Sequence, residues 1–219
     1  MKLTLPLIFT TLLLAGCSSH TDSPNFSASG YLADRGAVRI WRKNSQQQLS
    51  HMVTIYTPFN GAATETTDYQ WQDGKLVSLE RHLSGKQPDN VTLRFDHEGT
   101  LSFMQRQLAG KRELLSSDEV ALYQFDAQRM AKISDDLLGG RVQLIQGRWS
   151  STGTVLSCQG NELSPPFDLL ARERIEQQQK TSPTPLNIAW LETPDDAQLL
   201  LVSTGDLCQS EPKEADFPE

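Results

Sequence analysis

Four side chains in the first half of the chain have the types that bind copper or zinc: His51, Glu80, His82 and Met104. Imidazole, carboxylate and thioether groups would form a site for these metals if their strands were neighbours. No Cys-x-x-Cys motif occurs, however, and no histidine follows His97. We therefore expect unrelated surface histidines, with no metal and no cofactor, and keep the metal cluster as the alternative.

Motifs for familiar catalytic chemistries do not occur in the sequence. It has no Gly-x-Ser-x-Gly elbow, no His-Glu-x-x-His zinc helix and no glycine-rich phosphate loop. Two acidic pairs, Asp135-Asp136 and Asp195-Asp196, have the residue type for paired-carboxylate chemistry. Adjacent aspartates on a helix point in different directions, and the second pair lies in a predicted turn. We expect both pairs to be solvated ends of elements, and we predict that the protein is not an enzyme.

The N-terminal segment has the parts of a secretory signal: basic Lys2, an apolar run from Leu3 to Ala15, and small residues before Cys17. The run is shorter than the ~20 residues that span a bilayer. Leu14-Ala15-Gly16-Cys17 resembles the lipobox of bacterial lipoproteins. The resemblance implies cleavage before Cys17, a diacylglyceryl group on its thiol and an acylated amine. An ordinary signal peptide or a short buried helix is the alternative.

The net charge of the chain indicates that its attachment to a membrane depends on the lipid. The net charge is −7, and removal of residues 1–16 takes away Lys2 and makes it −8. An acidic chain has no electrostatic attraction to nucleic acid or to anionic head groups, whereas two or three acyl chains attach a protein almost permanently.

In this lipoprotein class an aspartate after the cysteine implies retention in the inner membrane. Ser18 and Ser19 follow here, so we expect the outer membrane, facing the periplasm.

Two cysteines remain once Cys17 carries lipid: Cys158 and Cys208. An even number in an oxidising compartment predicts one disulfide, and two free buried thiols or a metal pair are the alternatives. The bridge would close a loop of roughly 50 residues, which stabilises by about 4 kcal/mol in the chain-entropy treatment.

Alternating apolar residues from Gly30 to Leu115 predict an antiparallel meander with one dry and one wet face. Strands near residues 38–41 and 52–56 come first. Two hairpins follow, across residues 72–74 and 97–99, each predicted as a three-residue loop that ends in a left-handed glycine. This register places Leu101 and Phe103 on the dry face of the second hairpin.

Ser116 and Glu119 form a capping box that predicts a helix to Leu138, where two glycines supply a stop. The apolar stripe of this helix predicts that it covers the dry face, although Asp126 falls within the stripe.

Further strands are predicted near residues 142–145, 154–158, 186–192 and 198–203, with a short exposed helix after Leu169. The four tryptophans are expected to fill the core, and a ligand groove is the alternative: Trp41, Trp71, Trp149 and Trp190.

These elements predict an α+β fold, an antiparallel meander backed by one helix and followed by a smaller β subdomain clipped by the disulfide. We assign residues 1–16 to the signal peptide and 17–29 to the lipidated cysteine and a flexible tether. Residues 30–138 form the sheet and helix, and residues 139–208 form the subdomain. Residues 209–219 are predicted to be a disordered acidic tail.

Several stretches together carry a resemblance to a known family: Gly36-Ala37-Val38-Arg39-Ile40-Trp41-Arg42-Lys43, Leu101-Ser102-Phe103-Met104-Gln105-Arg106, Gln146-Gly147-Arg148-Trp149 and Ile188-Ala189-Trp190-Leu191-Glu192. The chain resembles the YjaH-type family of uncharacterised bacterial lipoproteins over nearly all of its mature length. The resemblance implies an envelope location and carries no catalytic residues over.

The expected function is therefore that of a lipid-anchored envelope lipoprotein that works through contacts with an unidentified envelope protein. The alternative is a binder of a small apolar or lipid-like ligand between the sheet and the helix. A deep apolar cavity would favour the binder, and a filled core would favour the contact protein.

Overall fold

The computed structural model describes residues 23–217, so Cys17 and the predicted signal peptide lie outside the described residues. Two antiparallel sheets and two α-helices make up this part of the chain, which confirms the α+β prediction. Among residues 23–217, neither helix is both long enough and apolar enough to cross a membrane.

The first sheet is a meander in which each strand pairs with the next. Its eight strands are β1 (Phe26–Ala33), β2 (Gly36–Ser45), β3 (Gln48–Pro58), β4 (Glu65–Gln72), β5 (Lys75–Leu83), β6 (Asp89–Phe95), β7 (Leu101–Leu108) and β8 (Lys111–Glu113). Alternate residues point to opposite faces of such a sheet. We call the face that carries Val38, Met52 and Leu93 the inner face.

Helix α1 (Ser117–Gly139) covers the inner face, as the sequence predicts. Its capping box is present, with Ser116 accepting from the backbone of Glu119 and the Glu119 carboxylate accepting from the backbone of Ser116. The core between sheet and helix is filled by buried apolar side chains: Val38, Ile40, Met52, Tyr69, Leu79, Val91, Leu93, Phe95, Leu115, Val120, Ala127 and Met130.

Both predicted hairpins form, but their turns differ from the prediction of three-residue loops. The first has a two-residue turn, because Gln72 pairs with Lys75 and both Asp73 and Gly74 have positive φ. Asp-Gly is a favoured sequence for such a turn, whose twist matches that of the flanking strands. The second hairpin connects Phe95 to Leu101 through a longer loop of residues 96–100.

The register of the second hairpin also corrects the predicted dry face. A bulge between Arg94 and Phe95 sets Phe103 opposite Arg94 and Met104 opposite Leu93. A shift of one residue sends a side chain to the other face of a sheet. Met104 therefore packs against the core, whereas Phe103 is 47% exposed on the outer face.

The second sheet follows α1 and has the order β11-β10-β9-β12-β13. Its strands are β9 (Gln143–Trp149), β10 (Val155–Ser157), β11 (Glu162–Leu163), β12 (Asn187–Glu192) and β13 (Ala197–Ser203). Helix α2 (Leu169–Thr181) lies between β11 and β12 in the chain, and a 3-10 turn (Glu214–Asp216) comes near the end. Gly147 permits the close approach of β9 and β10, since a Cβ there would lie 2.4 Å from the carbonyl oxygen of Leu156.

The two sheets pack against each other and share a core. The outer face of β2 and β3 supplies Ala37, Trp41 and Ile55, and the second sheet supplies Leu144, Ala189, Leu191, Leu200 and Leu201. The prediction of one wet face is therefore wrong at this end of the meander, where β2 is buried on both faces. The boundary at residue 138 does not separate two independent cores.

Both ends of the described chain are more ordered than the sequence predicts. Residues 26–29, assigned to the tether, form the start of β1 and pair with β2. The tail prediction is wrong for Phe217, which is 3% exposed and packs edge-on against Phe26 and His51, with ring centroids 5.2 and 4.6 Å apart. The polar composition of the tail predicted disorder. The burial of this aromatic ring gains hydrophobic free energy, which offsets the conformational entropy that is lost when the tail becomes ordered.

Candidate functional site

The structure brings together only two of the four proposed metal ligands, His82 and Glu80, whose Nε2 and carboxylate oxygen lie 4.0 Å apart. His51 is buried on the outer face of β3, and its Nε2 lies 2.8 Å from an Asp68 carboxylate oxygen. His82 is exposed two strands away and contacts Asn90, and Met104 lies on the opposite face of the sheet. Within residues 23–217, no group of three or more histidine, cysteine, aspartate or glutamate side chains is arranged to hold a metal ion.

The two aspartates of the first acidic pair bind separate partners. Asp135 accepts a 2.7 Å hydrogen bond from Arg42 of β2, whereas Asp136 pairs with Lys132 on the exposed side of α1. Asp195 and Asp196 lie in the turn between β12 and β13. Asp135 and Asp136 therefore face different partners, as the helix geometry predicts, and the second pair lies in a turn, as its sequence predicts.

The predicted disulfide is present between Cys158 and Cys208. It fixes the C-terminal segment beside the second sheet, where Leu207 and Phe217 enter the core shared by the two sheets. The predicted role of the tryptophans is also confirmed, since Trp41, Trp149 and Trp190 are buried and Trp71 packs against the inner core.

The candidate site is a cleft of about 730 Å³ where the inner face of β1 to β4 meets α1. We call it the tyrosine cleft. Its lining combines aromatic, hydroxyl and charged side chains, among them Tyr31, Thr54, Tyr56, Tyr69, Asp126 and Arg129. The volume lies within the range of ligand pockets in proteins.

Hydroxyl groups form the floor of the tyrosine cleft. Thr54 and Thr67 lie directly opposite each other on β3 and β4, and Tyr69 follows Thr67 on the same face. The Tyr69 hydroxyl donates to a carboxylate oxygen of Asp126 over 3.4 Å. Burial, supported by the nearby Asp126 charge, raises the pKa of Tyr69, so its hydroxyl stays protonated and can donate.

Three charged groups of the tyrosine cleft, Glu65, Asp126 and Arg129, have charged partners. Arg129 contacts one Asp126 carboxylate oxygen through Nε at 3.0 Å and Nη2 at 2.6 Å, and this hydrogen bonding raises the pKa of Arg129. Glu65, at another side of the cleft, pairs with Arg81 at 2.7 Å. Asp34 and Arg35 also line the cleft, and with Arg81 counted the acidic and basic groups around it are equal in number.

Sequence reasoning did not find this cleft, but one residue signalled it. Asp126 interrupts the apolar stripe of α1, and a carboxylate on a core-facing position needs a partner. The structure supplies two partners, Tyr69 across the interface and Arg129 one turn along the helix. The tyrosines gave no such signal, because their alternation on the strands is equally typical of core residues.

These features define a β-rich α+β protein, in which an eight-stranded meander backed by one helix shares a core with a five-stranded, disulfide-linked sheet. A family model described as a protein of unknown function (DUF1481) matches residues 28–213, and the chain belongs to this family.

One relative places the chain more closely. The chain is 42% identical over 207 residues to a protein of Escherichia coli (strain K12) that bears the name "Uncharacterized protein YjaH". The match covers 94% of this chain and 89% of that protein, so the predicted resemblance to the YjaH-type family is confirmed. No solved structure matches the chain.

Proposed function

We propose that the protein is a lipid-anchored lipoprotein of the bacterial envelope, facing the periplasm, and that it acts through contacts with another protein rather than by catalysis. The observation that carries the anchor is the sequence Leu14-Ala15-Gly16-Cys17 after a short apolar run. The charge pattern and length of residues 1–16 suit a cleaved signal peptide and not a membrane span.

Two features of the folded part support an envelope location. The Cys158–Cys208 disulfide is of the kind that persists in oxidising compartments such as the periplasm. The described chain begins at Ser23, six residues after Cys17, which span at most about 20 Å. A lipid on Cys17 would therefore hold the first sheet close to the membrane surface.

An exposed apolar surface supports action through protein contacts. Leu114 is 85% exposed just before α1, and Leu122 and Phe125 on the solvent side of α1 are 65% and 62% exposed. Leu122 and Phe125 are three residues apart, so they are neighbours on the helix surface. Apolar groups grouped in this way are typical of interaction surfaces.

Metabolic labelling with a palmitate analogue tests the anchor. We expect the wild-type protein to carry the label and Cys17→Ser to carry none, because serine provides no thiol for the diacylglyceryl group. Ser19→Ala is the control, since it changes the neighbouring tether and keeps the thiol. Label retained by Cys17→Ser would contradict the proposed anchor.

Site-specific photocrosslinking in the envelope tests the contact surface. A photoreactive residue at position 122 or 125 is expected to give the same discrete adduct, because both positions lie on one helix face. The control is position 173, an exposed glutamate on α2. Equal adducts at all three positions, or none at 122 and 125, would argue against α1 as the contact surface.

A second candidate function is small-ligand binding between the first sheet and α1. The tyrosine cleft favours it, since the cleft has ligand-pocket size and convergent polar groups. The apolar or lipid-like ligand that the sequence offers as the alternative suits this location poorly, because the apolar part of the interface is filled by core residues such as Ala127 and Met130.

A further inference from the structure

We propose that the tyrosine cleft is a binding site for a neutral saccharide, held by the hydroxyls on its floor and by the Asp126–Arg129 pair. This inference rests on the second candidate function, ligand binding between the sheet and α1, and assigns its ligand class. It differs from the apolar or lipid-like ligand that the sequence offers as the alternative, because the side chains that line the cleft are those that recognise hydroxyl groups.

The floor of the cleft fits a ligand that both donates and accepts hydrogen bonds. Thr54, Thr67 and Tyr69 present hydroxyls on adjacent strands, and each hydroxyl has one donor and two acceptor positions. Sugar hydroxyls have the same double capacity. A hydrocarbon chain placed here would exclude water from the two threonine hydroxyls and offer them no hydrogen bond in return, at a cost in free energy.

The Asp126–Arg129 pair gives the opening of the cleft a fork of donors beside a carboxylate. Both side chains are partly exposed, so a ligand can reach either of them. The guanidinium has five donors in a fixed plane and uses two of them on Asp126, while the carboxylate has about four acceptor positions and already receives three hydrogen bonds, so the pair can donate to one sugar hydroxyl and accept from another. Because the two charges compensate each other, the pair does not select an ionic ligand.

Aromatic faces complete the match. Tyr31 and Tyr56 are half-buried at the cleft, with Tyr31 on β1 and Tyr56 on β3. A tyrosine combines an apolar face with a polar end, and the face can pack against the C–H groups of a sugar ring. The Tyr31 hydroxyl contacts the Met130 sulfur at 3.7 Å, a weak interaction that a ligand hydroxyl can replace.

Isothermal titration calorimetry and amide NMR on the full chain, isolated from the envelope and held in lipid nanodiscs, test the proposal. The probes are tri-N-acetylchitotriose and maltotriose, with palmitate as the apolar comparison. We expect at least one trisaccharide to bind and to perturb amides around Tyr31, Thr54 and Arg129. We expect Arg129→Gln and Tyr31→Phe each to weaken binding about tenfold, since each removes hydrogen-bonding groups and keeps the shape of the cleft.

Lys132→Gln is the matched control, because it removes a cation from the same helix outside the cleft and should leave binding unchanged. Equal melting temperatures of all variants would show that the fold is intact. Failure of both trisaccharides to bind, or binding that neither cleft variant weakens, would overturn the proposal. Palmitate binding alone would overturn the saccharide assignment and keep the second candidate function. Labelling of Cys17 is measured separately, so these outcomes leave the anchor unaffected.

Discussion

Arg39 of β2 donates a 2.7 Å hydrogen bond from Nη1 to Oε1 of Gln146 on β9, and so joins the two sheets inside the protein. Gln146 in turn donates to Glu211 of the C-terminal segment at 2.6 Å. Burial lowers the pKa of Arg39 to about 10, and the charge of Glu211 acts against this shift. A carboxylate from the tail thus compensates a cation between the sheets.

Glu211→Ala should destabilise the protein by about 1–3 kcal/mol, because it leaves the buried Arg39 cation without its compensating charge and Gln146 without an acceptor. Urea unfolding at neutral pH measures this. Glu214→Ala is the control, since it removes an exposed acid from the same segment. The double variant Arg39→Met/Glu211→Gln should lose less stability than Glu211→Ala; an equal loss would show that Arg39 is not the group affected.

Asp89 should give the first sheet an acid-dependent stability. Burial acts to raise its pKa, but hydrogen bonds from Arg106 and Arg81 and their charges lower it below the ordinary value of 3.8. A carboxyl whose pKa is lowered on folding stabilises the fold above its unfolded value, and this contribution is lost as the pH falls through the folded value.

Asp89→Asn should therefore cost about 3 kcal/mol at pH 7, where it leaves two arginines without their shared partner. The difference from wild type should narrow as the pH falls below about 4, since the wild-type carboxyl then protonates. Unfolding curves from pH 7 to pH 3 measure both values. A difference that stays constant over this range would contradict the assigned role of the Asp89 charge.

Reduction of Cys158–Cys208 should lower the melting temperature by about 4–8 °C, which corresponds to about 2 kcal/mol of the chain-entropy value. The physical reason is that the bridge restricts the unfolded chain and holds the segment that carries Leu207 and Phe217. Without reductant, an alkylating reagent should modify neither cysteine in protein taken directly from cells. Modification of either cysteine under these conditions would contradict a stable bridge.

Phe217→Ala should destabilise the protein by about 3 kcal/mol, because it removes a buried ring that packs against Phe26 and His51. Phe125→Ala is the matched control. Its ring is 62% exposed, so the change in unfolding free energy should stay within about 0.5 kcal/mol. Thermal or urea unfolding measures the loss of stability of each variant. Similar losses for Phe217→Ala and Phe125→Ala would show that the tail is not part of the core.

Ser18→Asp should move the protein from the outer to the inner membrane, if the lipoprotein sorting rule implied by the resemblance applies. Ser18 places no carboxylate next to Cys17, the proposed site of lipidation, whereas aspartate does. Sucrose-gradient fractionation of membranes measures the distribution, with Ser18→Ala as the control that should stay with the outer membrane. Wild-type protein that runs with inner-membrane markers would refute the expected location.

The sequence alone was sufficient for features that arise from neighbouring residues. The capping box of Ser116 and Glu119 defines the start of α1, because its hydrogen bonds join residues three positions apart. The alternation of apolar residues likewise located most strands, since each strand must bury one side. The pairing of Cys158 with Cys208 followed from there being two cysteines left once Cys17 is assigned to lipid.

Only the tertiary structure decided which faces meet. The bulge at Arg94 and Phe95 moves Phe103 out of the core and Met104 into it, and a bulge depends on the pairing of two strands rather than on either one. The burial of Phe217 and the contact between Arg39 and Gln146 join residues more than a hundred positions apart. Local sequence contains no such information, because these contacts gain their free energy only when the two sheets pack together.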